Sequence, residues 1–199
     1  MVKALFFDIH EVITHGEFRL AYKTFADKVG ISDQLVADYH QENISSLLTG
    51  SLSFEHMLLA LGLDTRMDVP QMMKEWESAI ISVMTVDENM ITLLTQLKEQ
   101  YVLAALTNLT ETRLLPDIAL HIYNYFDYQI LSYKEGVRKP DVAFFERALE
   151  KTGFLAQEVI FIDDQVKNVA AAESVGIQPI LFTDYDTLIK SLHKHGVVV

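Results

Sequence analysis

Hydrophobic and polar positions divide the chain into two regimes. The first apolar run, Ala4-Leu5-Phe6-Phe7, does not alternate with polar residues and ends abruptly on Asp8. Such a run reads as a strand covered on both faces, the kind found inside a parallel sheet. From about His15 to Met84 the pattern predicts no strand, only helical periodicity interrupted by turns. Leu20, Phe25 and Val29 recur before Gly30, a helix stop, and Leu35, Tyr39 and Ile44 mark a second helix. Leu48 to Ser53 reads as a turn. Ser53 is placed to cap a helix over Phe54 to Leu61, with Gly62 closing it. A further helix is predicted from about Pro70 to Ile81, with Trp76 and Ile80 on one face.

From Asp87 onward helix and strand alternate, the signature of βαβ units and a parallel sheet with helices on both faces. The predicted order is helix 88–100, strand 101–106 ending on Thr107-Asn108, helix 112–123 and strand 128–131. There follow a loop from Ser132 to Pro140 and a helix 141–151 with Ala143, Phe144 and Leu149 turned inward. Strand 158–162 ends on Asp163-Asp164. A helix 166–175 stops at Gly176, and 178–182 gives the last core strand.

With 199 residues, half of them apolar, the chain has enough material for one substantial core and a smaller accessory unit. No apolar run approaches the roughly 20 residues that span a bilayer, and Met1-Val2-Lys3 leads directly into the first strand. The expectation is a cytoplasmic protein without a membrane partner. The chain has no cysteine, so any metal must be held by oxygen or imidazole. A net charge of −12 argues against nucleic acid, whose affinity for proteins comes largely from Lys and Arg at phosphates. It also means that a small phosphorylated substrate needs local cations. Oligomeric state cannot be read from these totals.

Parallel strands place all their carboxyl ends on one side, where open α/β sheets bind ligands. Asp8, Thr107 with Asn108, and Asp163 with Asp164 all stand at such ends, and Lys139 lies in a nearby loop. Two carboxylates about 4 Å apart repel by about 4 kcal/mol at an effective dielectric near 20, so a cluster of three calls for a cation. Hard oxygen ligands favour Mg²⁺. The Thr107 hydroxyl and nearby backbone N–H groups suit phosphoryl oxygens, with Lys139 adding a point charge.

Phe6-Phe7-Asp8, Leu106-Thr107-Asn108, Arg138-Lys139-Pro140-Asp141 and Phe161-Ile162-Asp163-Asp164, with Asn168 beyond, occur in the order and spacing of a known family. In these motifs the chain resembles the haloacid dehalogenase superfamily, in its phosphatase-type branch. The turn 48–53 followed by Phe54 is similar to the cap of the subgroup with sugar-phosphate phosphatases and the amino-terminal domain of epoxide hydrolases. The resemblance implies a Rossmann-like, doubly wound parallel sheet of order 5-4-1-2-3. Residues 1–14 and 85–199 would form the α/β core domain, and residues 15–84 a helical cap domain inserted after the first strand.

The same resemblance implies that Asp8 is the nucleophile, forming an aspartyl-phosphate that water hydrolyses. Mg²⁺ would bridge Asp8, the backbone carbonyl of His10 and Asp164. Asp163 would stand behind the ion or bind it through water, the other reading being an N-cap for the next helix. Asn168 would orient Lys139 or the acidic pair. Thr107 and Lys139 would hold the transferring phosphoryl group, with Asn108 contributing mainly its backbone N–H. The substrate class implied is a small phosphorylated metabolite, with a sugar phosphate as one instance.

At two positions the chain departs from the family. The usual acid/base Asp two residues after the nucleophile is His10, and the usual Gly is Glu11. General acid-base catalysis contributes on the order of 10²- to 10⁴-fold. His10 is one candidate to replace it, being about a quarter protonated at neutral pH when unperturbed, a fraction that neighbouring carboxylates would raise and a bound Mg²⁺ would lower. The other reading turns it towards the cap without a role. Glu11 is expected to point into the loop or solvent. Three functions follow: an Mg²⁺-dependent phosphatase; a catalytically impaired relative that binds a phosphorylated ligand or partner; and a metal-independent dehalogenase, against which Asp164 argues.

Overall fold

The computed structural model describes residues 1–61 and 67–199. The predicted helix stop at Gly62 lies outside the described residues. Strand β1 (Ala4–Phe7) is the middle of a five-stranded parallel sheet and is wholly buried. On one side it pairs with β4 (Val102–Thr107), which pairs with β5 (Tyr128–Leu131); on the other it pairs with β6 (Val159–Asp163), which pairs with β7 (Gln178–Leu181). With these five core strands numbered along the chain, the order read from β7 is 5-4-1-2-3, as expected. The non-alternating apolar run of β1 has a direct cause. Leu5 and Phe7 enter a core under one face of the sheet, while Ala4 and Phe6 enter another under the opposite face.

Helices α5 (Glu88–Leu97) and α10 (Tyr185–Lys194) cover the first face through Met90, Leu93, Leu188 and Leu192. Helices α8 (Val142–Thr152) and α9 (Val166–Ser174) cover the second through Phe144, Phe145, Ala148 and Ala172. In α8 the buried stripe is therefore Phe144, Phe145 and Ala148, whereas Ala143 and Leu149 are half-exposed. Helix α10 was not predicted. Its N-cap, Asp184, accepts the Thr187 N–H, and Leu188 and Leu192 recur at helical spacing.

Among the described residues, four α-helices stand between β1 and β4 before α5: α1 (Phe18–Val29), α2 (Asp33–Leu48), α3 (Phe54–Leu61) and α4 (Val69–Val83). They enclose a hydrophobic cluster of their own around Phe25, Phe54, Met57, Trp76 and Ile80. The α1 stripe runs through Ala21, Phe25 and Val29, leaving Leu20 exposed. Asp68 caps α4 with a reciprocal bond from Gln71. The stretch expected to lack strands is in fact opened and closed by them. Short β2 (Thr14–Gly16) runs antiparallel to β3 (Met84–Val86), so the chain enters and leaves the helical insert through a two-stranded ribbon.

Two further elements differ from expectation. Helix α6 (Glu111–Ala119) contains Pro116 and stops early; the chain turns at His121 in a left-handed conformation and continues as a 3₁₀ turn, Ile122–Tyr125. The expected loop 132–140 begins with one helical turn, α7 (Ser132–Glu135). Its Ser132 hydroxyl donates to the Leu48 carbonyl at 2.6 Å, joining the insert to the sheet domain. No helix among the described residues is long and apolar enough to cross a membrane.

Candidate active site

Asp8 is the first residue beyond β1, and its N–H still donates to the Ile162 carbonyl of β6. It is therefore held beside the end of β6, where Asp163 and Asp164 follow. The Asp8 Oδ1 accepts the Ile9 N–H at 2.7 Å and pairs with Lys139 Nζ at 2.9 Å. Lys139 Nζ also reaches Asp163 Oδ2 at 2.7 Å, and the lysine side chain is 1% exposed. The ammonium thus bridges two buried carboxylates contributed by different strands.

Burial raises Asp8 from the ordinary carboxylate range to about 7, against the lowering effect of Lys139; the Asp163 charge raises it further. Asp164 is also raised, first by burial and then by Asp163. Ligand oxygens of Asp8, Asp163 and Asp164 all lie within 4.8 Å of one another. Asp163, however, is already saturated. Its two oxygens accept from Lys139, the Gln165 N–H and Asn168, the last reaching both at 2.9 and 3.1 Å. A carboxylate has about four lone-pair sites, so Asp163 has none left to bind an ion directly. Its place is behind the cluster, holding Lys139, and Asn168 holds it in turn.

Asp164 differs: its Oδ1 is buried without any hydrogen-bond partner. Such an atom is unusual unless something else completes it. The His10 carbonyl accepts no backbone N–H among the described residues, because the turn after β1 closes on Ile9, whose carbonyl takes both Ile13 and Thr14. Asp8 and Asp164 offer oxygen donors with excess negative charge, which fits a hard divalent cation, and the His10 carbonyl is a further oxygen that no backbone N–H occupies among the described residues.

The structure brings Thr107 and Lys139 to the same strand ends, Thr107 wholly buried at the end of β4. Asn108 does more than offer its N–H. Its Oδ1 accepts the Lys139 N–H at 2.8 Å and its Nδ2 donates to the Lys139 carbonyl at 2.9 Å, clamping the lysine's backbone.

His10 does not have the surroundings expected of it. Its Nδ1 lies 3.4 Å from Thr107 Oγ1 and its Nε2 3.4 Å from Asp117, both at the long limit of hydrogen bonding. Burial and then the Arg113 charge lower its pKa and outweigh Asp117, which favours the neutral imidazole. Asp117 does act in the raising direction expected of a neighbouring carboxylate, but burial and Arg113 prevail over it. Asp117 is wholly buried and accepts the Tyr123 hydroxyl at 2.9 Å. Six residues apart on a continuous helix, these two would point about 120° apart; the break after α6 turns Tyr123 back onto Asp117. Arg113, Asp117 and Tyr123 were not anticipated, although charges four apart on a helix with a buried stripe were a visible signal. Glu11 sits at φ 66°, a conformation suited to glycine, and its carboxylate lies 3.3 Å from His15 in the open. His56 is likewise exposed, bonded to Ser53.

A family model of haloacid dehalogenase-like hydrolases matches residues 2–176. The sesquiterpene phosphatase astK of Aspergillus oryzae is 37% identical over 100 residues, 49% of this chain and 51% of that protein. Flavin mononucleotide hydrolase 1 of Arabidopsis thaliana is 32% identical over 80 residues, 40% of this chain and 33% of that protein. The matches thus span about half, or less, of these relatives. Among solved structures, the HAD family enzyme bt-2542 of Bacteroides thetaiotaomicron, in complex with magnesium and inorganic phosphate, superposes with a TM-score of 0.79. Identity is 20%, covering 94% of this chain and 99% of that one, a likeness of fold. The family match is of another kind, since it spans most of the chain and takes in Asp8, Thr107, Lys139 and Asp164, and on that ground the chain belongs to the haloacid dehalogenase-like hydrolases.

Proposed function

We propose that the protein is an Mg²⁺-dependent phosphatase that hydrolyses a small phosphomonoester through an aspartyl-phosphate on Asp8. The observation that carries this reading is the pairing of a lysine-anchored Asp8 with an orphaned Asp164 oxygen beside it. The phosphatase and hydrolase activities in the names of astK and the flavin mononucleotide hydrolase support it, as do the magnesium and phosphate of bt-2542.

Asp8, Asp164 and the His10 carbonyl would hold Mg²⁺, which when bound offsets the repulsion between a carboxylate nucleophile and a phosphoryl group. The chain's own groups do the rest. Oδ1 of Asp8 is fixed by Ile9 and Lys139, whereas Oδ2 has no protein donor among the described residues and is the oxygen open to the crevice. Attack by Asp8 forms an O–P bond as the ester O–P bond breaks, and the departing alkoxide takes its proton from solvent water. Thr107 and Lys139 stabilise the transferring group's charge, and Asn108 fixes Lys139 for that task. Water then opens the acyl phosphate, regenerating Asp8 and releasing phosphate. A neutral His10 suits the second half, taking the water's proton, better than the first, so turnover is biased towards esters with good leaving groups. Residues 15–84 act as a cap domain over the core formed by 1–14 and 85–199, the β2–β3 ribbon guiding its closure.

A second reading has one observation in its favour: both His10 nitrogens face Asp117 and Thr107, leaving the acid/base position weakly served. It makes the protein a catalytically impaired relative that binds a phosphorylated ligand. Hydrolysis of para-nitrophenyl phosphate, with and without Mg²⁺, separates the two. The phosphatase reading predicts metal-dependent turnover that Asp8→Asn abolishes and His10→Ala reduces by about 10²-fold. Phosphate binding without turnover across a broad panel of esters would favour the impaired relative.

A further inference from the structure

Trp76, the chain's single tryptophan, is 2% exposed, and its indole N–H has no hydrogen-bond partner. It forms one wall of a cavity of ≈ 200 Å³ between the helical insert and the segment that follows β4, lined also by Phe18, Tyr22, His40, Asn108 and Arg113. Phe18, Tyr22, His40 and Trp76 bring flat π surfaces to that lining, and Ile44, Leu48 and Ile80 add aliphatic ones. Tyr22 and His40 stack on Trp76 with centroids 5.7 and 6.2 Å away, and the Arg113 guanidinium lies 3.7 Å from the centre of the Phe18 ring.

A second orphan belongs to the same lining. Arg113 Nε is buried without a partner, and no carboxylate among the described residues forms an ion pair with the guanidinium. His40 adds no competing charge: burial and Arg113 push it down to about 4, and its Nδ1 is occupied by the Tyr22 hydroxyl at 3.0 Å. Native proteins leave few buried donors unsatisfied, so two around one cavity mark places where a ligand's acceptors belong. Asn108 connects this cavity to the phosphoryl site, because the side chain on the cavity wall is the one that clamps the Lys139 backbone.

We propose that the cavity receives the alcohol part of the phosphomonoester, and that this part is a single planar ring bearing a hydrogen-bond acceptor. The assignment rests on the phosphatase reading and names its substrate class. An apolar cavity of about 150 Å³ holds a benzene-sized molecule. The present one therefore accepts one ring with small substituents and excludes a fused polycycle or a long prenyl chain. A sugar's many hydroxyl groups would find few partners on these walls. A planar ring stacks on Tyr22, Trp76 and Phe18, and its acceptor takes the orphaned N–H groups of Trp76 and Arg113.

The test compares kcat/KM for three esters of similar leaving-group chemistry: glycerol phosphate, benzyl phosphate, and the isosteric pyridylmethyl phosphates, which add a ring nitrogen as acceptor. The wild type should favour benzyl over glycerol phosphate, and the best pyridylmethyl isomer over benzyl by about tenfold. In Arg113→Met and in Trp76→Phe, which keeps a ring but loses the N–H, the pyridylmethyl-to-benzyl ratio should fall towards one, whatever the absolute rates. Should Trp76→Phe fold poorly, Arg113→Met and competitive inhibition of the wild type by pyridylmethanol against benzyl alcohol read the same preference. Equal turnover of all three esters, or an acceptor preference that survives Arg113→Met, would overturn the assignment while leaving phosphatase activity standing. No phosphate released from any ester, an activated aryl phosphate included, would overturn the phosphatase reading and this assignment with it.

Discussion

Lys139 shows how much a single side chain can carry. Its ammonium separates Asp8 from Asp163 in a place with almost no solvent, so removing it leaves two buried carboxylates facing each other. Breaking a buried ion pair from one side costs about 3–5 kcal/mol, and Lys139→Met should lose that much in urea unfolding at pH 8 without metal. Asp8 makes the opposite case. Its folded pKa, about 7, lies above that of an unfolded aspartate, so its contribution to stability is complete below about pH 4 and is lost as pH rises through 7. Asp8→Asn has no such charge to bury. In chelator-treated protein its melting temperature should rise relative to the wild type between pH 4 and pH 8, while its activity disappears. A flat difference across that range would mean that Lys139 offsets the burial of Asp8 completely. The convergence of Asp8, Thr107 and Lys139 was open to inference because each stands at a strand end or in a motif of fixed spacing. The clamp of Asn108 on Lys139 was not, since it joins backbone and side chain 31 residues apart.

Elements were legible in the chain to the extent that burial imposed a period on them. Strand β1 is covered on both faces and shows as an unbroken apolar run, and α4 displays its Trp76–Ile80 face with a capped start. The ribbon strands β2 and β3 have three residues each, too few for any alternation to register. Helix α6 looked longer than it is because Pro116 and the left-handed His121 end it inside a continuous pattern. That hidden break carries Tyr123 to Asp117 and so shapes the surroundings of His10. At the turn between α2 and α3, Gly50 has φ 69°, and a Cβ there would collide with the Tyr133 carbonyl of α7. Gly50→Ala should therefore destabilise the protein by at least about 1–2 kcal/mol in urea unfolding, through strain and loss of this contact. Helix α2 also carries a pH-sensitive group. His40 is held neutral at about 4, below its unfolded value of 6.5, so its contribution is present above pH 6.5 and fades as pH falls towards 4. The stability of wild type relative to His40→Gln should decline over that window; an unchanged difference would show that His40 titrates as if in water.

At the scale of the whole molecule, a chain with a net charge of −12 gathers three of its carboxylates around one crevice. The arrangement is intelligible if a cation is part of the working protein, and that cation would let so acidic a chain receive the phosphate ester proposed for it. The five-stranded sheet supplies the geometry, because its parallel order brings β1, β4 and β6 together and aligns their ends. Above those ends the helical insert contributes Tyr22, His40 and Trp76 to a cavity whose other wall comes from the core, so neither part alone makes the site. The central claim is that Asp8 becomes covalently phosphorylated during turnover. Acid quenching of the protein with an activated aryl phosphate and Mg²⁺, followed by mass spectrometry of the peptide containing Asp8, tests it most directly. One phosphoryl group on that peptide, dependent on Mg²⁺ and absent from Asp8→Asn, is the predicted result. Steady release of phosphate with the peptide unmodified throughout, or undiminished turnover by Asp8→Asn, would contradict it.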